Sequence, residues 1–165
     1  MKKILIINTG GTFNKVYNPI TGNLDIEPKG KALKMLAQTW MEPLNIINII
    51  GKDSLEMNDQ DRRSILEEIK KHPNQKIIIV HGTDTMDQTA AYLDGAKLHR
   101  TILLTGSMVP FSINPIEATA NFASAYGFIQ GEPDIGIYVA MNGKIGIYQK
   151  IQKNKEKGLF EPIEY

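Results

Sequence analysis

Five short apolar runs, most of them rich in isoleucine, alternate with segments whose apolar residues recur at helical spacing. The runs predicted to be strands are Ile4–Asn8, Ile46–Ile50, Lys76–Val80, Thr101–Leu104 and Ile135–Met141. Repeated strand-then-helix units favour a mainly parallel sheet with helices on both faces. We therefore predict a three-layer α/β/α fold. Because 165 residues suit one compact domain, we expect a single domain over residues 1–165.

The segments between the runs predict four helices. The first is expected over Lys31–Trp40, and the second after Asn58, a good N-cap, with a stop at the His-Pro-Asn sequence 72–74. At the start of the third helix, Thr85 and Gln88 fit a capping box. The fourth has a stripe of small or apolar residues, typical of a face that approaches a neighbour closely: Ile116, Ala120, Ala123 and Gly127.

The remaining segments are expected to be hairpins or loops. The stretch from Thr9 to Pro28 is polar and rich in glycine and proline, and it could hold a loose hairpin. Asn142-Gly143 is a strong turn signal, after which Ile145–Tyr148 is predicted to return as an antiparallel edge strand. The charged tail from Lys150 onward is predicted to be a loop.

Composition argues against several classes of protein. Nucleic acid and membrane surfaces are not expected as partners, because 19 basic residues are balanced by 18 acidic ones. There is no cysteine for thiolate catalysis, and the three histidines, His72, His81 and His99, are not spaced as zinc ligands, so we predict no metal and no organic cofactor. The initial apolar run is too short for a signal peptide, and no run approaches the roughly 18 apolar residues of a membrane span. We expect a cytoplasmic protein.

Four of the predicted strands end in polar segments rich in hydroxyl groups. These segments are Thr9–Thr12, Asp53–Ser54, His81–Thr85 and Thr105–Ser107. A parallel sheet places the ends of these strands on one edge, where open α/β sheets bind their ligands. The convergence of the four segments predicts a binding or catalytic site at this edge.

Taken singly, most of these motifs also allow a structural interpretation. Thr9–Thr12 can be a turn that ends a strand, and Thr85 can be a helix cap. For Thr83 and Asp84 together we favour a functional role, whereas His81 is predicted to be a structural histidine and not a base. Three other residues have adequate structural interpretations. Ser54 can belong to the start of a helix, Ser107 to a turn that satisfies its own backbone, and Lys153 can be a solvated charge.

Together the motifs resemble the bacterial-type L-asparaginase family. The family pattern T-G-G-T corresponds to Thr9–Thr12, and its M-N-D segment to Asp53–Asp59. H-G-T-D-T-M corresponds to His81–Met86, T-G-S-M to Thr105–Met108, and the M-N…K segment to 141–153. The resemblance covers nearly the whole chain. It implies the Rossmann/flavodoxin-like N-terminal domain of that family, and no counterpart of the family's C-terminal domain is expected.

The resemblance also implies roles for individual residues. Thr12 matches a nucleophile that attacks the amide carbon, and Tyr17 matches a loop tyrosine that helps to activate it. Thr83, Lys153 and Asp84 match a second set, in which the lysine helps to deprotonate the threonine that attacks or activates water. The implied contacts to the substrate and its developing oxyanion are made by Gly11, Ser54, Thr83, Asp84 and Ser107. Three positions depart from the common family residues: Phe13 replaces isoleucine, Leu55 glutamine and Glu117 aspartate.

The function that the resemblance implies is hydrolysis of the side-chain amide of L-asparagine or a related small amino-acid amide. Two alternatives stay open. The domain could bind aspartate or asparagine without turnover, or it could be the ammonia-supplying amidase subunit of a transamidation complex. The resemblance also implies a homo-oligomer, either a dimer or a tetramer.

Overall fold

The isoleucine-rich runs are the strands of one sheet. The computed structural model describes residues 4–164, so residues 1–3 and 165 of the predicted domain lie outside the described part of the chain. The strands are β1 (Ile4–Gly10), β2 (Lys15–Tyr17), β3 (Leu24–Ile26), β4 (Asn45–Lys52), β5 (Lys76–Val80), β6 (Thr101–Thr105), β7 (Gly136–Met141), β8 (Lys144–Ile147), β9 (Ile151–Asn154) and β10 (Leu159–Pro162). The helices are α1 (Lys31–Trp40), α2 (Asp59–Lys71), α3 (Met86–Gly95) and α4 (Pro115–Gln130).

Six of the strands form a sheet in the order β4-β1-β5-β6-β7-β8. The first five in this order are parallel, and β8 is antiparallel to β7. The register of the central strands is set by pairs such as Ile6↔Ile78 between β1 and β5. Two short antiparallel hairpins, β2–β3 and β9–β10, lie outside this sheet.

Helices cover both faces of the sheet because strand side chains alternate between the faces and each face is apolar. On one face α2 and α3 bury Ile65, Ile69, Met86, Ala90 and Leu93 against Leu5, Ile7, Ile77 and Ile79. On the other, α1 and α4 bury Leu33, Leu36, Phe122, Ala125 and Ile129 against Ile6, Ile78 and Leu103. The predicted three-layer α/β/α architecture is thus confirmed. Among residues 4–164, no helix has the length and apolar character that a membrane crossing requires.

Most of the predicted elements are present with small changes at their ends. The five predicted strands and the antiparallel edge strand are found within two residues of their predicted ends. α1 spans the predicted Lys31–Trp40. Asn58 caps α2 as expected, accepting a hydrogen bond from the Asp61 amide, while the Asp61 carboxylate accepts one from the Asn58 amide. The region from Thr9 to Pro28 contains the expected hairpin, β2–β3.

The prediction that the tail from Lys150 onward is a loop is wrong. The tail forms β9 and β10, in which Lys153 pairs with Phe160. Burial of Ile151 and Phe160 against the α2–α3 face of the sheet stabilises this hairpin. The Asn142 side chain fixes it further by accepting a 2.7 Å hydrogen bond from the Phe160 amide. The many charged side chains of the tail concealed these two apolar anchors in the sequence.

Two predictions about helices are also wrong. Thr85 and Gln88 do not form a capping box, because the Thr85 hydroxyl donates to the Ser54 carbonyl oxygen and Gln88 accepts from Arg62. In α4 the stripe expected to pack closely faces solvent, and Ile116 is 74% exposed. The buried stripe of α4 lies on its opposite side: Ala118, Phe122, Ala125 and Ile129.

Candidate active site

The topology of the sheet creates a crevice between the loops that follow β1 and β5. After β1 the chain forms β4 on one side of β1, and it then returns to form β5 on the other side. At such a switch point the two loops run to opposite faces of the sheet, and ligands of doubly wound proteins bind in the gap between the loops. The two richest predicted motifs, Thr9–Thr12 and His81–Thr85, flank this gap.

Two glycines allow the loops around the gap to touch. Gly11 has φ 72° and ψ −179°, a conformation that is open essentially to glycine alone, and a Cβ atom there would lie 2.5 Å from the Gly82 amide nitrogen. A Cβ atom on Gly82 would lie 2.6 Å from the Ser54 Cβ. The predicted loops after β1, β4 and β5 are therefore in direct backbone contact. This contact places Thr12 and Thr83, each next to one of these glycines, at the same edge of the sheet.

Ser54 is fully buried in the loop after β4 and holds the loop after β5 in place. Its hydroxyl oxygen accepts hydrogen bonds from the amides of Asp84 (3.1 Å) and Thr85 (3.3 Å), and its carbonyl oxygen accepts one from the Thr85 hydroxyl (2.9 Å). Ser54 thus fixes the two residues that precede α3, whereas within residues 4–164 no side chain caps the helix itself. The main role of the Ser54 side chain in the described structure is therefore to hold the two loops together.

Lys153, Thr83 and Asp84 form a hydrogen-bonded set. The Lys153 ammonium donates to the Thr83 hydroxyl oxygen (2.8 Å) and to the Asp84 carboxylate (2.7 Å). The Thr83 hydroxyl in turn donates to the Met108 sulfur, at 3.4 Å. β9 delivers Lys153 to this position, and only 16% of its side chain is exposed. The structure thus brings together the three residues that the family resemblance assigned to one set.

Thr12 is half-buried and starts a short 3-10 turn directly after Gly11. Within residues 4–164 its hydroxyl makes no hydrogen bond, so it is available to a ligand. Tyr17 lies in β2 with 63% of its surface exposed, and its ring and hydroxyl contact none of the described site residues through a hydrogen bond or ring contact. The structure therefore does not join Tyr17 to Thr12, and its role stays a prediction.

Ser107 is buried in the turn that follows β6. Its hydroxyl donates to the Val109 carbonyl oxygen at 2.7 Å. This bond agrees with the structural interpretation of Ser107, a turn that satisfies its own backbone. Glu117, on α4, accepts hydrogen bonds from the amides of Met108 and Val109, both at 2.9 Å. A glutamate at this position therefore holds the turn beside the candidate site.

Lys15 and Asp53 form an ion pair that was not predicted from the sequence. The Lys15 ammonium lies 2.7 Å from the Asp53 carboxylate and joins β2 to the loop that carries Ser54. Burial raises the pKa of Asp53, but hydrogen bonds from Lys15 and the Leu55 amide, together with the positive charges of Lys15 and Lys153, bring that pKa below its usual value. No local spacing signals this pair, because 38 residues separate its members.

Two cavities lie near these residues. One, of about 230 Å³, is lined by Thr83, Asp84 and Lys153 together with residues of α3 and the β9–β10 hairpin. The other, of about 410 Å³, lies between α1 and the β2–β3 hairpin, and Phe13 and Phe111 contribute to its walls. The first cavity has the polar side chains and the small size that suit a small polar molecule. Within residues 4–164 no group of three or more histidine, aspartate or glutamate side chains could hold a metal ion.

His81 is the buried structural histidine that the sequence predicted. Its Nδ1 lies 2.7 Å from the Gly82 carbonyl oxygen and its Nε2 lies 2.8 Å from the Thr89 hydroxyl. Burial lowers the pKa of His81 to about 4, with a further lowering from the positive charge of Arg62. The imidazole is therefore neutral at physiological pH.

The low pKa of His81 predicts that acid weakens the fold. Because the pKa is about 4 in the folded chain and 6.5 normally, the unfolded chain binds a proton between these values that the folded chain does not. The stabilisation is complete above pH 6.5 and is lost as the pH falls towards 4, by up to about 3 kcal/mol. Urea unfolding of the protein and of His81→Asn between pH 7 and 4.5 measures this effect. Equal pH dependence in the two proteins would contradict the prediction.

The fold and the site define a doubly wound α/β protein with a threonine, lysine and aspartate set at the switch point of its sheet. The chain belongs to the asparaginase family. The family's sequence model described as "Asparaginase, N-terminal" matches residues 3–160. The expected family membership is thereby confirmed.

Individual relatives agree with this assignment. The chain is 27% identical over 159 residues to the probable periplasmic L-asparaginase of Haemophilus influenzae, covering 88% of this chain and 44% of that one. It is 32% identical over 155 residues to a glutamyl-tRNA(Gln) amidotransferase subunit of Methanococcus vannielii, covering 88% of this chain and 35% of that one. The structure of the thermostable L-asparaginase from Thermococcus kodakarensis matches with a TM-score of 0.85 and 27% identity, over 99% of this chain and 52% of that one. The chain thus spans half or less of the relatives and about half of the structure it matches.

Proposed function

We propose that this chain hydrolyses the side-chain amide of L-asparagine or a related small amide, with Thr12 as the nucleophile. The observation that carries the proposal is the pair of hydrogen bonds from Lys153 to Thr83 (2.8 Å) and Asp84 (2.7 Å). Activation of a hydroxyl requires a base beside it, because a hydroxyl alone is a poor nucleophile, and in this contact the amine form of Lys153 can act as that base.

The proposed reaction proceeds in two steps. In the first, the Thr12 hydroxyl loses its proton and its oxygen attacks the amide carbon; the carbon–nitrogen bond breaks, and ammonia leaves with the added proton. In the second, water attacks the resulting ester, with Thr83 and Lys153 accepting and returning its proton, and the acid is released. We assign stabilisation of the oxyanion that forms in each step to backbone amides beside Gly11 and Gly82.

Binding of the substrate's charged end is assigned to the polar groups around the set. Asp84 presents a carboxylate that suits a substrate ammonium. Although it is paired with Lys153, 30% of the Asp84 side chain is exposed. For Ser54, which is fully buried, the contact with a substrate carboxylate that the resemblance implies stays a proposal. Neither the chemistry nor this recognition requires a cofactor.

Substitution of Lys153 tests the proposal. Lys153→Met is expected to lower kcat for ammonia release by about 10²–10⁴-fold, the usual contribution of a group that transfers a proton. Lys153→Arg keeps the positive charge but cannot give up its proton near neutral pH. Its kcat should therefore stay low, while its binding of the substrate should be better than that of Lys153→Met. Ammonia is measured with asparagine, glutamine and simple amides as substrates.

Lys150→Met is the matched control, because Lys150 is exposed and close in sequence but makes no contact with Thr83 or Asp84. The control should keep wild-type activity. Full activity in Lys153→Arg would show that charge alone matters and would contradict the proposed proton transfer. Absence of ammonia release from every amide by the unsubstituted protein would refute the proposed function itself.

One observation favours a second candidate function, which is binding of aspartate or asparagine without turnover. Tyr17 is 63% exposed and is not joined to Thr12, so the activation that the family resemblance implies is not assembled. A rise in melting temperature with aspartate but no ammonia release would support this alternative. At a ligand concentration of 100 times Kd the stabilisation should be about 2.7 kcal/mol.

The remaining expectations are also proposals. Similarity to an amidotransferase subunit supports a role in supplying ammonia to a partner enzyme, and co-purification of such a partner would test it. The proposed dimer or tetramer is supported by apolar side chains that are exposed on the surface: Ile20, Leu55, Ile113 and Ile116.

A further inference from the structure

Behind the His81–Thr85 loop lies a chain of three buried polar side chains that the proposed reaction does not use. Arg62 on α2 is 5% exposed, Thr89 on α3 is fully buried, and His81 at the end of β5 is fully buried. The Arg62 Nε lies 3.2 Å from the Thr89 hydroxyl oxygen, which lies 2.8 Å from the His81 Nε2. The His81 Nδ1 lies 2.7 Å from the Gly82 carbonyl oxygen.

The hydrogen bonds that link these three side chains can run in only one direction. A carbonyl oxygen only accepts, so the His81 Nδ1 carries a hydrogen and donates to Gly82. Because the imidazole is neutral, its Nε2 is then an acceptor, and the Thr89 hydroxyl must donate to it. The Thr89 oxygen accepts in turn from Arg62, whose guanidinium is always a donor. Arg62, Thr89 and His81 therefore form a directed relay that ends on the Gly82 carbonyl.

The relay fixes the peptide between Gly82 and Thr83. In a trans peptide the carbonyl oxygen of one residue and the N–H of the next point in opposite directions, and the described residues contain no cis peptide. Since the Gly82 carbonyl is turned back towards His81, the Thr83 N–H is turned away from it. Within residues 4–164 the Thr83 N–H donates to no protein acceptor, whereas the amides of Asp84 and Thr85 donate to Ser54.

We infer that Arg62, Thr89 and His81 are positioning residues that aim the Thr83 N–H at the oxyanion of the bound amide. This inference rests on the proposed function for its chemical consequence, but the relay itself can be tested without it. None of the three side chains needs to touch the substrate. Their effect is to prevent the Gly82–Thr83 peptide from rotating, so that one donor is aligned before the charge develops.

The remaining bonds of Arg62 explain how it is held for this role. Its two terminal nitrogens bind the Asp59 carboxylate at 3.3 Å and the Gln88 side-chain oxygen at 3.4 Å. The contact with Gln88 ties α2 to α3, the contact with Asp59 lies within α2, and Nε stays directed at Thr89. A neutral residue at position 62 would lose this donor, and the Thr89 hydroxyl would then be free to rotate away from His81.

The kinetic test compares Thr89→Val with Thr89→Ser. Valine has the shape of threonine without the hydroxyl, whereas serine keeps the hydroxyl and the relay. Removal of one oxyanion donor lowers kcat by on the order of 10²–10³-fold, so a donor that is present but no longer fixed should cost about 10- to 100-fold. We expect this loss in kcat for Thr89→Val with little change in KM, and near-wild-type kcat for Thr89→Ser. Equal kcat values in the two variants would overturn the inference.

The structural test is NMR of the imidazole nitrogens of His81 and the amide of Thr83, which requires no activity. The unsubstituted protein should show a neutral His81 with the hydrogen on Nδ1, and Thr89→Ser should match it. Thr89→Val removes the donor to Nε2, so it should shift the His81 Nε2 resonance and the Thr83 amide resonance. Unchanged Nε2 and Thr83 amide resonances in Thr89→Val would overturn the relay. If the protein released no ammonia, these spectra would still decide whether the relay exists.

A second pair of variants guards against failure of Thr89→Val to fold. The amide group of His81→Asn can still donate to the Gly82 carbonyl oxygen, whereas His81→Ala cannot. We expect His81→Asn to retain about tenfold higher kcat than His81→Ala, with similar KM values in the two variants. Equal kcat values in two folded variants would count against the inference.

Discussion

Thr12→Val should abolish ammonia release and leave the protein folded. Valine has nearly the volume of threonine, so the half-buried position stays filled while the hydroxyl is lost. Since that hydroxyl has no partner within residues 4–164, its removal strands no buried group, and the melting temperature should change little. Loss of a nucleophile typically removes at least about 10⁴-fold of kcat.

Thr12→Ser is the matched variant, because it keeps a hydroxyl at the same position. It should retain measurable turnover and, with a slowly hydrolysed amide or ester, a covalent adduct on residue 12 that mass spectrometry detects. Turnover by Thr12→Val close to that of the unsubstituted protein would show that another group attacks the amide.

The second large effect is expected at Gly11, where a methyl group should destabilise the chain by about 2–6 kcal/mol. Two costs combine at this position. A side chain at φ 72° and ψ −179° costs about 1–3 kcal/mol, and its Cβ would lie 2.5 Å from the backbone nitrogen of Gly82, an overlap that costs about 1–3 kcal/mol more. Because both overlapping groups are near the backbone, no side-chain rotation relieves the clash.

Two other glycines separate these costs. Gly22 has φ 75° with no atom within 4 Å of a Cβ, so Gly22→Ala measures the cost of a positive φ without a clash. A Cβ on Gly82 would lie 2.6 Å from the Ser54 Cβ, so Gly82→Ala measures the clash. Urea unfolding should rank Gly11→Ala as the most destabilised of the three, and ammonia release should fail in Gly11→Ala and Gly82→Ala. If Gly11→Ala were no less stable than Gly22→Ala, the contact between the loops would not exist in solution.

Periodicity and loop composition were sufficient to predict much of the fold and part of the site. Buried parallel strands appear as short apolar runs because both of their faces are covered, and the carboxyl ends of parallel strands share one edge whatever the details of packing. The four hydroxyl-rich loops could therefore be placed together without coordinates. The role of Ser54 is different, because its bonds to Asp84 and Thr85 cross 30 residues and leave no local pattern.

Periodicity alone could not choose the buried side of α4. The predicted stripe and the buried stripe have the same spacing and are offset by two residues, which places them about 200° apart on the helix. The buried one carries Phe122 and Ile129, whose larger apolar area makes burial more favourable. The predicted stripe consists mainly of small residues, which pack closely only where a neighbour is present.

By itself, the sequence determined the order of strands and helices, the α/β/α architecture and the edge of the sheet on which the polar loops meet. These features follow from local periodicity and from the geometry common to all parallel sheets. Only the tertiary structure decided that the charged tail is a hairpin, that Lys15 pairs with Asp53, and that Arg62 lies behind His81. The physical reason is that each of these contacts joins residues distant in sequence, and its free energy exists only after the intervening chain has packed.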